Sequence, residues 1–143
     1  MGNNWELAHV GVVVRDMDKT VEYYQSLGIA TKIGPEWIGD NKSLDAMVYG
    51  KPADPKYKIK IREVQIGPLA LLLNQPVEGE SRQKDFLDSR GEGINHIAFT
   101  VDDLDSERTK LVEKGIPVMY EIKGNAYFDT RKFGNVVVQL LQR

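Results

Sequence analysis

GINHIAFTVDDLDSERTKLVEKGI (residues 93–116) reads as a strand followed by a helix, and LAHVGVVVRDMDKTVEYYQSLGI (residues 7–29) reads the same way 87 positions earlier. Laid over each other without a gap, the two stretches match His9 with His96, Val14 with Val101 and Asp16 with Asp103. They also match Asp18 with Asp105, Gly28 with Gly115 and Ile29 with Ile116. The chain has two histidines in 143 residues, and they fall on each other.

The grammar of each copy predicts its elements. Residues 7–14 and 94–101 are apolar and β-branched, which favours strand. In the first copy Asp16 or Asp18 offers a helix cap, Met17, Val21, Tyr24 and Leu27 form a buried stripe, and Gly28 stops the helix. The second copy repeats this with a helix near 105–114 ending at Gly115. Three strands then follow each helix: IATKI, KIKIREVQI and LALLLNQ in the first copy, IPVMYEI, NAYFDT and VVVQLLQ in the second. Counted from Gly67 and from Gly134, the last strands end alike, at Gln75 and Gln142.

Each half is therefore strand–helix–strand–strand–strand. The organisation expected is a single α+β domain of two tandem βαβββ modules paired about a pseudo-twofold axis, with curved mixed sheets enclosing one cleft. Module one runs over about 5–76 and module two over about 93–143, with a linking helix at about 80–90 in which Phe86 and Leu87 pack inward. Module one is longer by an insertion at 34–57, rich in Gly, Pro, Asp and Lys, which reads as a long loop, either a lid or cleft wall or a surface decoration.

Composition narrows the function. The chain is 41% hydrophobic and 28% charged, as ordinary globular proteins are, and its net charge of −2 gives no electrostatic case for nucleic acid or a membrane surface. No apolar run is long enough to span a bilayer. MGNNWE lacks a signal-peptide pattern, and Glu6 stands where a myristoylation signal wants Ser or Thr. With no cysteine there are no disulfides or thiolates, which fits a cytoplasmic protein. No phosphate-gripping glycine loop, serine elbow or thiolate metal motif occurs.

Symmetry carries the site argument. His9 and His96 share one phase of their strands, and the fifth residue after each late glycine is Leu72 in one half and Gln139 in the other. A pseudo-twofold axis is expected to gather these four. On KIKIREVQI, Ile59, Ile61, Glu63 and Gln65 share a face, which makes Glu63 a candidate general base and Gln65 a candidate ligand contact. Tyr127 and Asp129 share a strand face and are candidate proton donor and acceptor. Trp37, Met47 and Tyr49 read either as an apolar cover over a ligand or as satellite core, with Leu72 as apolar wall. KYKIKIR gathers four Lys or Arg residues, either to meet an anionic ligand or as a solvated strand edge.

HVGVVVRDMDKTVEYYQSLGI, GEGINHIAFTVDDLD and FGNVVVQLLQ together resemble the vicinal oxygen chelate superfamily, which includes lactoylglutathione lyase, methylmalonyl-CoA epimerase, extradiol dioxygenases and bleomycin-resistance proteins. RGEGINHIAFTVDDLD looks most like the epimerase branch. The resemblance implies a divalent metal held by inward residues of four strands, at positions matching His9, Leu72, His96 and Gln139. Leu72 cannot ligate and Gln139 replaces the usual Glu, which leaves His9, His96 and Gln139 as metal residues. Lys56 or Tyr57 stands where the epimerase branch uses a further glutamate. Two imidazoles and an amide suit Zn, Ni, Co or Fe better than Mg or Ca.

The resemblance thus implies a metal-dependent lyase or isomerase, or a dioxygenase, acting on a 2-oxo acid or acyl-CoA-like substrate, with an altered metal site. The alternative is a metal-free or weakly metal-binding protein that sequesters a small molecule, as bleomycin-resistance proteins do. A homodimer is also implied.

Overall fold

The computed structural model describes residues 3–143. Met1 and Gly2, where the N-terminal reading begins, lie outside the described residues. In chain order the elements are β1 (Glu6–Val13), α1 (Met17–Ser26), β2 (Lys32–Asp40), β3 (Met47–Val48), β4 (Lys51–Pro52), β5 (Lys58–Ile66) and β6 (Leu69–Glu78). They continue with α2 (Arg82–Arg90), β7 (Gly93–Val101), α3 (Leu104–Glu113), β8 (Val118–Ile122), β9 (Asn125–Phe128) and β10 (Val137–Gln142). The fold is α+β. Two compact units divide it: a first of His9–Lys42 and Asp54–Asn95, and a second of residues 3–8, Ser43–Ala53 and His96–Arg143.

The units share one topology. In the first, the strand order is β2-β5-β6-β1, with β1 parallel to β6 and the other pairs antiparallel. In the second it is β7-β10-β9-β8, with β7 parallel to β10, extended by β3 and β4 beyond β8. The parallel pair in each is what a strand–helix–strand crossover produces.

The starts of α1 and α3 are each satisfied twice over. Asp16 takes the extended backbone of a cap and accepts from the Lys19 amide; Asp103 does the same for Ser106. The first helical amide then finds a partner on the last strand. Gln75 Oε1 accepts from Met17 N at 2.7 Å, and Gln142 Oε1 accepts from Leu104 N at 2.8 Å. The matched glutamines are thus paired braces, each tying a strand end to a helix start. Substituting either with Ala should lower stability by about 1 kcal/mol in denaturant unfolding, since an otherwise unsatisfied helix amide loses its acceptor. An unchanged midpoint in both variants would mean that water replaces the amide at no cost.

Helix docking assigns the faces of each sheet. In the first unit Val12 and Val14 of the β1 segment, Val64 and Leu73 close on Met17 and Val21 of α1, with Tyr24, Ile33, Ile66 and Leu71 packed around them. In the second, Val101, Ala126, Phe128 and Leu140 close on Leu104, with Phe99, Leu111, Val118 and Val138 around them. Strand side chains alternate, so the residues between these point away from the helices.

The segment expected as a long loop, 34–57, is structured from its start. β2 runs on to Asp40, accommodating Pro35 through a bulge between Ile33 and Glu36. Gly39 has no Cβ to meet Ile61 Cδ1, which lies 3.0 Å from where one would be. Further on, β3 and β4 form a hairpin on β8, with turns and irregular chain at 41–46 and 53–57. KYKIKIR, read as a possible strand edge, instead lies mostly in β5, between β2 and β6. Among the described residues, no helix is long and apolar enough to cross a membrane.

Candidate functional site

In the first unit the face turned away from α1 carries His9, Gly11 and Val13 of β1. Gly11 pairs with Leu72, and Leu72 pairs with Glu63 on its other side, forming one row across three strands. Glu63 is exposed and His9 is buried. Trp37 pairs with Ile61 on the same face and is about half exposed. Gln65, a candidate ligand contact, donates to Gly67 O at 2.8 Å across the turn. A surface cavity of about 590 Å³ opens elsewhere in this unit, between the end of β1 and α1, and none of the site candidates lines it.

In the second unit the face away from α3 carries His96, Tyr127 and Gln139, all buried. Val137 pairs with His96, and Gln139 pairs with Tyr127. The Tyr127 ring meets the His96 imidazole edge-on at 5.1 Å and 85°, and meets Tyr120 on its other side at 5.6 Å. Tyr127 and Tyr120 join Met119 and Val137 in a small cluster beside the imidazole. Gln139 Nε2 donates to Asn125 Oδ1 at 2.8 Å, while its Oε1 is buried with no hydrogen-bond partner.

Asp129 proves to be a different kind of residue from the base expected. It lies just past β9 and receives Arg131 Nε on Oδ1 and Arg131 Nη2 on Oδ2, both at 2.8 Å. The Tyr49 hydroxyl donates to Oδ2 at 3.0 Å. The Arg131 guanidinium holds the carboxyl down to about 2, so it is a poor proton acceptor at neutral pH. Tyr49, expected in an apolar cover, is a tether of the β3–β4 hairpin; burial, then Asp129, pushes its phenol up. Because the folded carboxyl titrates near 2 and an unfolded one near 3.8, the pair stabilises above pH 4 and the gain fades as pH falls towards 2. Asp129→Asn should cost about 1 kcal/mol at pH 7, after screening by solvent, and almost nothing at pH 2. Paired thermal melts across that range measure it; a constant difference would contradict the assignment.

Three contributors escaped the sequence reading. Asn125 lies two residues before Tyr127 on the same strand face, so period-2 alternation could have found it. Tyr120 and Arg131 carried no such signal.

Among the described residues, no three or more His, Cys, Asp or Glu side chains cluster so as to hold a metal ion. The buried Oε1 of Gln139 has no hydrogen-bond partner, and an amide oxygen is of a chemistry that can ligate a cation.

The two βαβββ units, each with a histidine on the face opposite its helix, define a duplicated-module scaffold. A profile of the Glyoxalase/Bleomycin resistance protein/Dioxygenase superfamily matches residues 8–134, and the chain belongs to that superfamily. No curated protein sequence matches it significantly. Among solved structures, a hypothetical protein from Bacillus halodurans C-125 superposes with a TM-score of 0.70 at 23% identity, covering 99% of this chain and 96% of its own. Methylmalonyl-CoA epimerase from Mycobacterium tuberculosis gives 0.67 at 24% identity, covering 99% and 92%. A variant of the Streptomyces coelicolor epimerase, in complex with 2-nitronate-propionyl-CoA, gives 0.63 at 20% identity, covering 95% of each chain. These likenesses establish the fold.

Proposed function

We propose that this protein is a metal-dependent lyase or isomerase that acts on a small oxygenated substrate of the 2-oxo acid or acyl-CoA kind. The observation that carries the reading is the unpartnered, buried Oε1 of Gln139, on the sheet face that holds His96. His9, His96 and Gln139 would hold a divalent transition metal such as Zn, Ni, Co or Fe. When bound, such an ion supplies Lewis-acid polarisation of adjacent substrate oxygens.

The chain's own residues divide the remaining work. Gln139 contributes an oxygen but cannot accept a proton at working pH, so it is no substitute for a catalytic glutamate. Leu72 offers apolar wall. Glu63, beside Leu72 in the register, is the carboxylate left to move a proton. Tyr127 orients the His96 ring. Asp129 is paired with Arg131, which makes it a weak base. A homodimer belongs to the same reading, on family grounds.

The second reading, a bleomycin-resistance-type binder without metal, is favoured by Leu72, whose side chain cannot ligate. Metal content separates the two. Tag-free protein measured by plasma mass spectrometry should carry near-stoichiometric transition metal, and His96→Ala should lose it. No metal in either, even after incubation with Zn, Ni, Co and Fe(II), would sink the enzyme reading in favour of the binder.

A further inference from the structure

We propose that the cavity between the end of β1 and α1 binds a small aromatic zwitterion, of the kind an aromatic α-amino acid presents. The inference is independent of the metal reading, because none of the metal-site candidates lines this cavity and all of its lining lies in the first unit.

At about 590 Å³ the cavity falls within the size range of small-molecule sites. The buried valine run at 12–14 supplies apolar surface, and Tyr23 and Tyr24 add two rings with centroids 6.3 Å apart. Charge of both signs stands around them, Arg15 and Lys19 against Asp16 and Glu92. Among the described residues the ion pairs lie elsewhere, which leaves both cations open to a ligand. The carboxylates are tied to backbone: Asp16 Oδ1 accepts from Lys19 N and Glu92 Oε2 from Arg15 N, both at 3.0 Å. The second bond holds the approach to β7 against the end of β1, so that wall is set before a ligand arrives. Burial, then the Glu92 charge, pushes the Tyr24 phenol up, which keeps it a hydroxyl donor.

The duplication shows that packing does not demand this lining. At the matching positions of the second copy, Arg15, Lys19, Tyr23 and Tyr24 become Asp102, Ser106, Lys110 and Leu111. There Asp102 is closed off by an ion pair with Arg143 at 2.6 Å. The caps Asp16 and Asp103, which serve the fold, are unchanged between copies. A ligand of one charge is drawn to half of the first copy's lining and repelled by the other half, whereas a zwitterion meets both. Its carboxylate suits Arg15 and Lys19, its ammonium suits Glu92, and its ring suits the tyrosines and valines.

The test is an NMR titration of isotope-labelled protein with L-phenylalanine, hydrocinnamate and phenethylamine. The three share a ring and carry both charges, the negative alone and the positive alone. Phenylalanine should give saturable amide shifts confined to residues 12–24 and 91–93, and each single-charge probe should bind roughly tenfold more weakly, the worth of one charged contact. Arg15→Gln should weaken phenylalanine by roughly tenfold and leave phenethylamine unaffected. Glu92→Gln, whose amide oxygen can still accept from Arg15 N, should weaken phenylalanine to a similar degree and hydrocinnamate not at all. Preserved amide dispersion verifies that both variants fold. Either single-charge probe binding as tightly as phenylalanine would overturn the zwitterion assignment, and no saturable shift with any probe at millimolar concentration would remove the site. Neither result touches the metal content.

Discussion

Gly79→Ala is expected to destabilise the fold by about 3 kcal/mol. Gly79 has φ +71°, and a Cβ there would lie 2.7 Å from Tyr57 N, 2.8 Å from Tyr57 Cα and 2.9 Å from Lys56 C. Left-handed backbone costs an L-residue roughly 1–2 kcal/mol, and forcing atoms into a packed site typically adds 1–3 kcal/mol. The obstructing atoms are backbone, so no rotamer change relieves them. Gly28 is the control, since its φ is also +71° but no atom lies within 4 Å of its would-be Cβ. Gly28→Ala should therefore show the backbone cost of about 1 kcal/mol alone. Guanidinium unfolding of both variants at equal slope isolates the clash. An equal loss at the two positions would mean that the Lys56–Tyr57 backbone moves aside freely.

Phe128→Ala should cost about 4 kcal/mol. Phe128 is fully buried beneath α3, among Val101, Leu104, Ala126 and Leu140. Truncation removes the transfer energy of a ring and leaves a cavity that strand neighbours cannot fill. Phe128→Leu should lose clearly less, because leucine restores most of the volume. Phe128 also faces away from His96 and Gln139, so the metal bound per folded molecule should be unchanged. Lost metal uptake in a variant that remains folded would show that the two faces are not independent.

The duplication was legible because each module obeys local rules that write themselves into sequence. Asp16 and Asp103 cap helices, Gly28 and Gly115 end them at positive φ, and period-2 alternation separates His9 and His96 from the helix-facing valines. Even the Gln75 and Gln142 match had a visible trace, although its purpose needed the helix amides in view. The insertion was misread because Gly34, Pro35 and Gly39 are loop signals by composition. An outer strand tolerates proline at a bulge, and Gly39 is there to admit Ile61. Tyr49 at φ 48° and the Arg131–Asp129 pair are products of tertiary placement that no periodicity announces. Residues 49 and 129 are brought together only once the hairpin docks on β8.

The split of each sheet into a helix-bearing face and a helix-free face also governs how the chain can change. Comparing the two copies, the helix-facing positions hold the same class of residue, whereas the opposite face holds Leu72 in one and Gln139 in the other. The helix-bearing face carries packing that the two copies share, whereas the opposite face, although also buried at Val13, His96, Tyr127 and Val137, carries the chemical differences. New reactivity can then be sought by rewriting a few letters on the helix-free side while the helix-bearing side keeps its packing, which makes the duplicated module a natural starting point for designing catalysts.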